Sequence, residues 1–243
     1  MGAISQAICE EHQNKLLASF SRQDMDRWQG QLEAVELSAN QTLCAAGDSS
    51  AYVYFPTTAV VSLMSLTVDG STVEVAVIGK DGLVGISALL GGGAVPFDSV
   101  VQSAGRAFRV SARFVKAEID HSRDVMRSVL GYSQTLLVQM AQTAICNRFH
   151  SIDQQVSRRL LAGLDRLPSD EMAMTQEQIA GLLGVRREGV NTAANKLREE
   201  GLIRYSRGHI VVLDRQRLEQ KTCHCYTPSK KEYSRSLPSL IAA

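Results

Sequence analysis

The sequence of 243 residues predicts an α+β fold, in which an N-terminal antiparallel β-roll (jelly-roll-like) precedes a long helix and a small C-terminal domain. Two observations carry this prediction. Short runs of β-forming residues alternate with glycine-containing turns before about residue 115, and apolar residues recur at helical spacing after it. The chain is 44% hydrophobic and long enough for two compact domains, which excludes wholesale disorder.

Five segments follow from the changes in composition. Residues 1–36 are polar with apolar residues at helical spacing, and we expect them to form helices that pack on the roll. Residues 37–115 form the roll, which we interpret as a sensor domain, and residues 116–149 a long helix. Residues 150–219 form the C-terminal domain. Residues 220–243 are rich in Lys, Ser and Pro, and we expect a disordered tail there.

Charge, cysteine count and hydropathy exclude several classes of protein. The net charge of +1 argues mildly against a generic nucleic-acid binder. The N-terminus lacks a signal peptide and no apolar run reaches the roughly 18 residues of a membrane span, so we expect a cytoplasmic protein without membrane contact. An odd number of scattered cysteines does not suit a disulfide framework. These cysteines are Cys9, Cys44, Cys146, Cys223 and Cys225.

A stripe of apolar and small residues runs along the predicted long helix. A helix from 112 to 148 would be about 50 Å long, more than a small roll can cover. The simplest partner for the uncovered part is a second copy of the chain, which gives a homodimer. A helix folded back on its own domain is the alternative. The seam consists of Met126, Leu130, Ser133, Leu137, Met140 and Ala144.

The segment up to Leu213 has the pattern of a helix-turn-helix followed by a wing. Thr175 and Gln178 form a capping box that opens the first helix. Gly184 suits the tight turn between the two helices, where a positive φ is required. Two strands around Gly208 then form the hairpin known as a wing. The sequence therefore predicts a winged helix-turn-helix, a module that binds DNA.

A helix that enters the major groove reads bases from the residues near its N-terminus. Arginine can bond to O6 and N7 of guanine, and glutamate can accept from the amino group of cytosine. An ordinary solvated first turn is the alternative interpretation. The predicted base contacts are Arg186, Arg187, Glu188, Asn191 and Thr192. The predicted phosphate contacts are Thr175, Lys196, Arg198, Arg204 and Arg207.

A β-roll, a seam helix and a C-terminal winged helix, in that order, resemble the CRP/FNR superfamily of bacterial transcription regulators. The resemblance covers about residues 14 to 215. It implies a homodimer that binds an inverted repeat in double-stranded DNA, with RNA polymerase as a further candidate partner. The family's Arg-Glu pair matches Arg187-Glu188, whereas a third family arginine falls on Thr192, so we expect a different operator. Its other markers are Gly47-Asp48 with Tyr52-Val53-Tyr54-Phe55, Gly79 through Gly85, and Thr175 through Leu213.

The cyclic-nucleotide cassette departs from the family pattern. In members that bind cyclic nucleotides a glutamate holds the ribose, but here Gly85 precedes Ile86. The resemblance aligns Asp98 with the arginine that holds the cyclic phosphate, so cyclic AMP is not expected. A structural turn without ligand and a more apolar effector are both left open. The candidate effector pocket is Gly85, Ile86, Ser87, Asp98 and Ser99.

No cofactor, metal or catalytic activity is expected. The single N-terminal Cys9 cannot supply the cysteine cluster of the family's iron–sulfur branch. Cys146 and His150 share one helical face, which is typical of packing beside an exposed imidazole. Cys223-His224-Cys225 offers two close thiols, an incomplete metal site. The sequence contains neither a catalytic triad with a histidine nor a phosphate-binding loop, so it does not indicate an enzyme. A regulatory module whose winged helix contacts protein is the alternative function.

Overall fold

In the computed structural model, which describes residues 13–91, 93–167 and 169–236, the chain forms a β-roll and a helical C-terminal domain joined by a long helix. The predicted α+β class and the order of its parts are confirmed. Within these residues no helix is both long enough and apolar enough to cross a membrane. Cys9 lies outside the described residues.

The N-terminal segment covers one end of the roll. A 3₁₀ turn at Leu17–Ser19 leads into helix α1 (Arg22–Trp28). Trp28 is fully buried, and its ring makes edge-to-face contacts with three other rings. These belong to Phe20, Phe55 and Phe114, at centroid distances of 4.9, 5.8 and 5.3 Å. This aromatic cluster attaches α1 to the roll.

The roll consists of two antiparallel sheets, with strand orders β1-β7-β3 and β2-β6-β4-β5. The predicted Asp69-Gly70 turn joins β4 to β5, and Gly70 has a φ of +84°. Gly85, with a φ of +100°, ends the loop before the short helix α2 (Ile86–Leu90). The strands are β1 (Glu33–Leu37), β2 (Thr42–Cys44), β3 (Tyr52–Pro56), β4 (Val60–Leu66), β5 (Thr72–Ile78), β6 (Asp98–Ser103) and β7 (Gly105–Ser111).

The predicted single helix after the roll is interrupted at Ser122. Helix α3 spans Ala112–His121 and helix α4 spans Arg123–Phe149, so one helix across 116–149 is corrected to two. The Ser122 backbone is extended, and its Oγ accepts a hydrogen bond from the Val125 amide at 3.3 Å. A serine that satisfies a free amide at a helix start favours this break over a continuous helix.

Helix α4 separates an inner face from an outer one. The inner face packs on the roll, and Val125, Tyr132 and Leu136 are among its buried residues. The outer face leaves large apolar side chains in solvent, since Leu130 is 52% and Leu137 61% exposed. The helix therefore has apolar surface on both sides, of which the described part of the chain covers only one.

The C-terminal domain is a helix-turn-helix bordered by a small sheet of order β8-β10-β9. Strand β8, which the sequence analysis did not predict, pairs with β10 and places Met172 opposite Ile210. The elements are α5 (Ile152–Leu164), β8 (Glu171–Ala173), α6 (Gln176–Leu183), α7 (Arg187–Glu199), β9 (Ile203–Ser206), β10 (His209–Val212) and α8 (Arg215–Lys221).

The expected disordered tail is corrected for residues 222–236. Helix α9 (Tyr226–Ser236) lies against α4, where the Gln139 side-chain amide donates to the Tyr233 hydroxyl at 3.2 Å. Cys223 and Cys225 are buried in the loop that precedes α9. Tyr226 and Tyr233 are seven residues apart, so they lie on one face of the helix and can reach the core. Residues 237–243 lie outside the described residues.

Two ion pairs connect the roll to helix α5 and the segment directly after it. Arg159 of α5 lies 2.7 Å from the carboxylate of Glu74 on β5, and both side chains are buried. Arg166 lies 3.3 Å from the carboxylate of Asp81. The hairpin of β4 and β5 also packs against the helix-turn-helix. Val73 of β5 lies so near Gly184 that a Cβ added to this glycine would be 3.5 Å from the Val73 side chain.

Candidate nucleic-acid interface

The turn between α6 and α7 is built from local hydrogen bonds. Thr175 caps α6, since its Oγ1 accepts from the Gln178 amide at 3.2 Å, and its own amide donates to the Gln178 side chain at 2.8 Å. Gly184 follows with a φ of +64°, a conformation that residues with a Cβ rarely adopt. The predicted capping box and turn glycine are both confirmed.

Helix α7 has one buried and one exposed face. The buried face consists of Val190, Ala193, Ala194 and Leu197. The five predicted base-contact residues, Arg186, Arg187, Glu188, Asn191 and Thr192, are all exposed at the N-terminal end of the helix. Glu188 lies in the first turn, where a negative charge interacts favourably with the helix dipole. The structure therefore brings the predicted base-contact residues together on one solvent-facing surface.

The sequence analysis missed three polar residues on this surface. Asn191 Oδ1 accepts hydrogen bonds from the side chains of Gln176 at 3.1 Å and Asn195 at 3.2 Å. Glu177 lies 3.8 Å from Arg187, and both side chains are well exposed. Such a pair contributes less than about 1 kcal/mol, so Arg187 can leave it for a base. Asn195 could have been predicted from the sequence, because it lies four residues after Asn191 and therefore on the same face of the helix.

The predicted phosphate contacts surround the exposed face of α7, and all five side chains are exposed. Arg207 lies in the wing turn with a φ of +49°, followed by Gly208 with a φ of +78°, as a tight hairpin requires. Lys196 instead contacts Asp153 of α5 at 2.8 Å, so it is already engaged within the domain. Arg198, Arg204 and Arg207 form no ion pair within the described part of the chain, and the uncharged Thr175 caps α6.

The candidate effector pocket in the roll is nearly closed. Gly85, Ile86, Ser87 and Ser99 line one cavity of about 20 Å³, space for a single water molecule at most. Asp98 is not among its lining residues, and its Oδ1 accepts a hydrogen bond from the Ala46 amide at 2.7 Å. The residues that the resemblance aligns with a nucleotide site therefore pack on one another.

Two family sequence profiles match the chain. The cyclic nucleotide-binding domain matches residues 34–122, and the Crp-like helix-turn-helix domain matches residues 134–221. The chain belongs to the CRP/FNR family of transcription regulators. No curated protein sequence matches the chain.

Solved structures of CRP/FNR regulators share the fold. FixK2 from Bradyrhizobium japonicum has a TM-score of 0.69 and 19% identity, over 79% of this chain and 98% of that one. A transcriptional regulator of the crp/fnr family from Eubacterium rectale has a TM-score of 0.66 and 17% identity, over 84% and 96%. The c-di-GMP responsive global regulator CLP from Xanthomonas campestris has a TM-score of 0.63 and 14% identity, over 80% and 100%.

A second cavity of this CRP/FNR regulator lies between the roll, α5 and α9. It has a volume of about 190 Å³, and Asp81, Arg159, Arg166 and Tyr233 are among its lining residues. The Arg166 guanidinium lies 4.8 Å from the centre of the Tyr233 ring. Burial raises the pKa of Tyr233 to about 12, so this hydroxyl stays neutral and can donate. The cavity is therefore bounded by the ion pairs that join the two domains.

Potential metal ligands of the CRP/FNR regulator meet elsewhere. Cys146 and His150, at the end of α4, lie beside Cys223 and Cys225 of the loop before α9. The sequence alone relates the two pairs by no spacing rule, because His150 and Cys223 are 73 positions apart. Only the folding of the tail onto α4 brings these side chains together.

Proposed function

We propose that this CRP/FNR regulator acts as a homodimer that binds an inverted repeat in double-stranded DNA. The observation that carries the proposal is the exposed N-terminal half of α7, where Arg187, Glu188 and Asn191 face solvent while the opposite face is buried. Side chains of these types read base edges in the major groove. The segment from 186 to 207 holds six basic and three acidic residues, so the positive charge is concentrated where DNA would bind.

The outer face of α4 supports the homodimer. Met126, Leu130 and Leu137 are 40%, 52% and 61% exposed along one line of the helix. Ser133, Met140 and Ala144 lie on the same line, and none of the three is fully buried. A second copy of this face would bury the stripe in a helix–helix seam. Two recognition helices related by a two-fold axis would then lie about 34 Å apart, one turn of DNA.

The proposed signal is not cyclic AMP. The cavity of about 20 Å³ in the roll is far smaller than a nucleotide, and its rim lacks a cation to hold a phosphate. A change in the roll would reach α5 through the Glu74–Arg159 pair and alter the position of the recognition helices. Such a regulator would work in the cytoplasm and could contact RNA polymerase at its promoters.

The decisive experiment selects bound sequences from a random duplex pool with the full-length protein, over a series of salt concentrations. We expect an inverted repeat with half-sites about 10 base pairs apart and binding that weakens as salt rises. The triple variant Arg187→Ala, Glu188→Ala, Asn191→Ala should lose the selected sequence and keep weak salt-dependent binding. Absence of duplex binding at low salt would instead favour a winged helix that contacts protein.

A further inference from the structure

A cluster of three cysteines and one histidine forms where the end of α4 meets the loop before α9. The ligand atoms of Cys146, His150, Cys223 and Cys225 all lie within 4.8 Å of one another. Cys146 Sγ is 3.5 Å from Cys223 Sγ, and Cys225 Sγ is 3.5 Å from His150 Nδ1. The three cysteines are buried and the histidine is partly buried, so the cluster is largely shielded from water.

These separations suit one tetrahedral ion. With Zn–S bonds of about 2.3 Å, two thiolates on the same zinc lie about 3.8 Å apart, and an imidazole nitrogen lies slightly closer. An iron–sulfur cluster distributes its ligands over different iron ions and holds them further apart. Three thiolates and an imidazole are soft ligands, which select Zn²⁺ over Mg²⁺ or Ca²⁺.

A buried arginine beside the cluster lacks an anionic partner. Arg158 is only 7% exposed, its Nε has no hydrogen-bond partner, and it forms no ion pair with a carboxylate within the described ranges. The Arg158 guanidinium lies close enough to Cys146 for a direct electrostatic interaction with its side chain. An uncompensated buried charge is strongly destabilising. Zinc bound by three thiolates and a neutral imidazole carries a single negative charge, which would balance Arg158.

The position of the cluster explains how two distant pairs can act as one site. Cys146 lies in the last turn of α4, and His150 is the residue that caps its C-terminus, with its amide donating to the Cys146 carbonyl at 3.1 Å. The other two ligands stand on either side of His224, which is exposed and packs its ring edge-on against His150. Between the two pairs runs the whole helix-turn-helix domain, residues 151–222.

We propose that Cys146, His150, Cys223 and Cys225 bind one structural Zn²⁺ ion. This site departs from the expectation that the chain holds no metal. The ion fastens the two ends of the DNA-binding domain to the end of α4, in the way that a disulfide closes a loop. Because the ligand set is closed, with no position left for water or substrate, the ion stabilises the domain and takes no part in a reaction.

Metal analysis of the full-length protein, purified under reducing conditions and supplied with Zn²⁺, tests the site. We expect one zinc per chain, retained in Cys44→Ser and lost in Cys225→Ser. Cys44 is the matched control, because it is a free cysteine on strand β2 of the roll and is not part of the cluster. Equal zinc content in the two variants, or no zinc in the wild type, would overturn the proposal.

Cobalt replacement in the unaltered protein does not depend on whether a variant folds. One equivalent of Co²⁺ should produce the intense visible absorption of a tetrahedral thiolate site, and one equivalent of Zn²⁺ should abolish it. His150→Ala keeps three thiolates and should weaken Zn²⁺ binding about tenfold or more against a chelating dye. A pale octahedral cobalt spectrum, a cluster containing inorganic sulfide, or a Cys146–Cys223 disulfide in the purified protein would each contradict a zinc site.

Discussion

Arg187 and Glu188 begin helix α7 side by side, with their side chains in solvent and only one long ion pair between them and the rest of the domain. This lack of strong internal bonds matters for the proposed recognition of bases. A side chain held by strong internal bonds would have to break them before it could reach a base. The weak Arg187–Glu177 contact involves little such cost.

Replacing Arg187 with alanine should weaken binding to the selected operator by about 1–3 kcal/mol and change binding to random DNA little. The reason is that a bidentate contact to guanine is lost while most phosphate contacts stay. Fluorescence anisotropy with the two duplexes measures both affinities. Arg113→Ala, which removes an exposed arginine of helix α3, is the matched control. Equal losses on operator and random DNA would show that Arg187 does not read bases.

Gly82 illustrates a residue whose importance comes from a close approach. A Cβ at this position would be 2.2 Å from the Tyr132 ring, and the Tyr132 hydroxyl donates to the Leu83 carbonyl at 2.8 Å. Gly82→Ala should therefore destabilise the protein by about 1–3 kcal/mol, as overpacking does. Gly30→Ala, where the added Cβ meets nothing within 4 Å, is the control. Urea unfolding of the two variants measures the difference, and equal stability would contradict the close contact.

Helices and turns that follow a periodic sequence pattern were predicted from the sequence, whereas two features that have no such pattern were not. The face of α7 that packs inward and the turn at Gly184 follow from spacing and from the need for a positive φ. The break at Ser122 and strand β8 were missed. The apolar pattern continues across Ser122, although the Ser122 side chain caps the start of a new helix there. Strand β8 has only three residues, which are ordered by pairing with β10.

The exposed stripe of α4 makes a prediction at this scale. Leu137→Glu should convert the proposed dimer into monomers, because a charge would be buried in the seam. Leu90→Glu is the matched control, since Leu90 of α2 is 58% exposed and Leu137 61%. Sedimentation velocity at micromolar concentration distinguishes the species. If the Leu137 variant stays dimeric, the seam lies on another surface.

The whole molecule depends on contacts between segments that are far apart in the chain. The Glu74–Arg159 pair and the cysteine–histidine cluster each join residues more than 70 positions apart. Composition identified residues 220–243 as polar, but it could not indicate that Tyr233 reaches the core around α4. Likewise, the cysteine pattern revealed two incomplete pairs, and only the tertiary fold joins them. Sequence patterns over short stretches cannot predict contacts between segments this far apart in the chain.

Glu74→Gln should destabilise the folded protein by about 3–5 kcal/mol, because it leaves the buried Arg159 without a counter-charge. The double variant Glu74→Leu with Arg159→Met should recover most of this loss, since it removes both charges. Urea unfolding measures both variants. Glu33→Gln, which removes the carboxylate of the exposed Arg109 pair, should cost much less than Glu74→Gln, because solvent screens that pair. A similar cost for Glu33 and Glu74 would contradict a buried connection between the domains.

The contact of α9 with α4 also has a consequence for synthesis of the protein. The roll strands end at Ser111 and can pair soon after they leave the ribosome, yet Gln139 finds Tyr233 only after the whole winged helix has been made. A nascent or prematurely terminated chain would carry a finished winged helix on an unfinished support. Synthesis of α9, rather than completion of the recognition helix, would then determine when the regulator becomes competent.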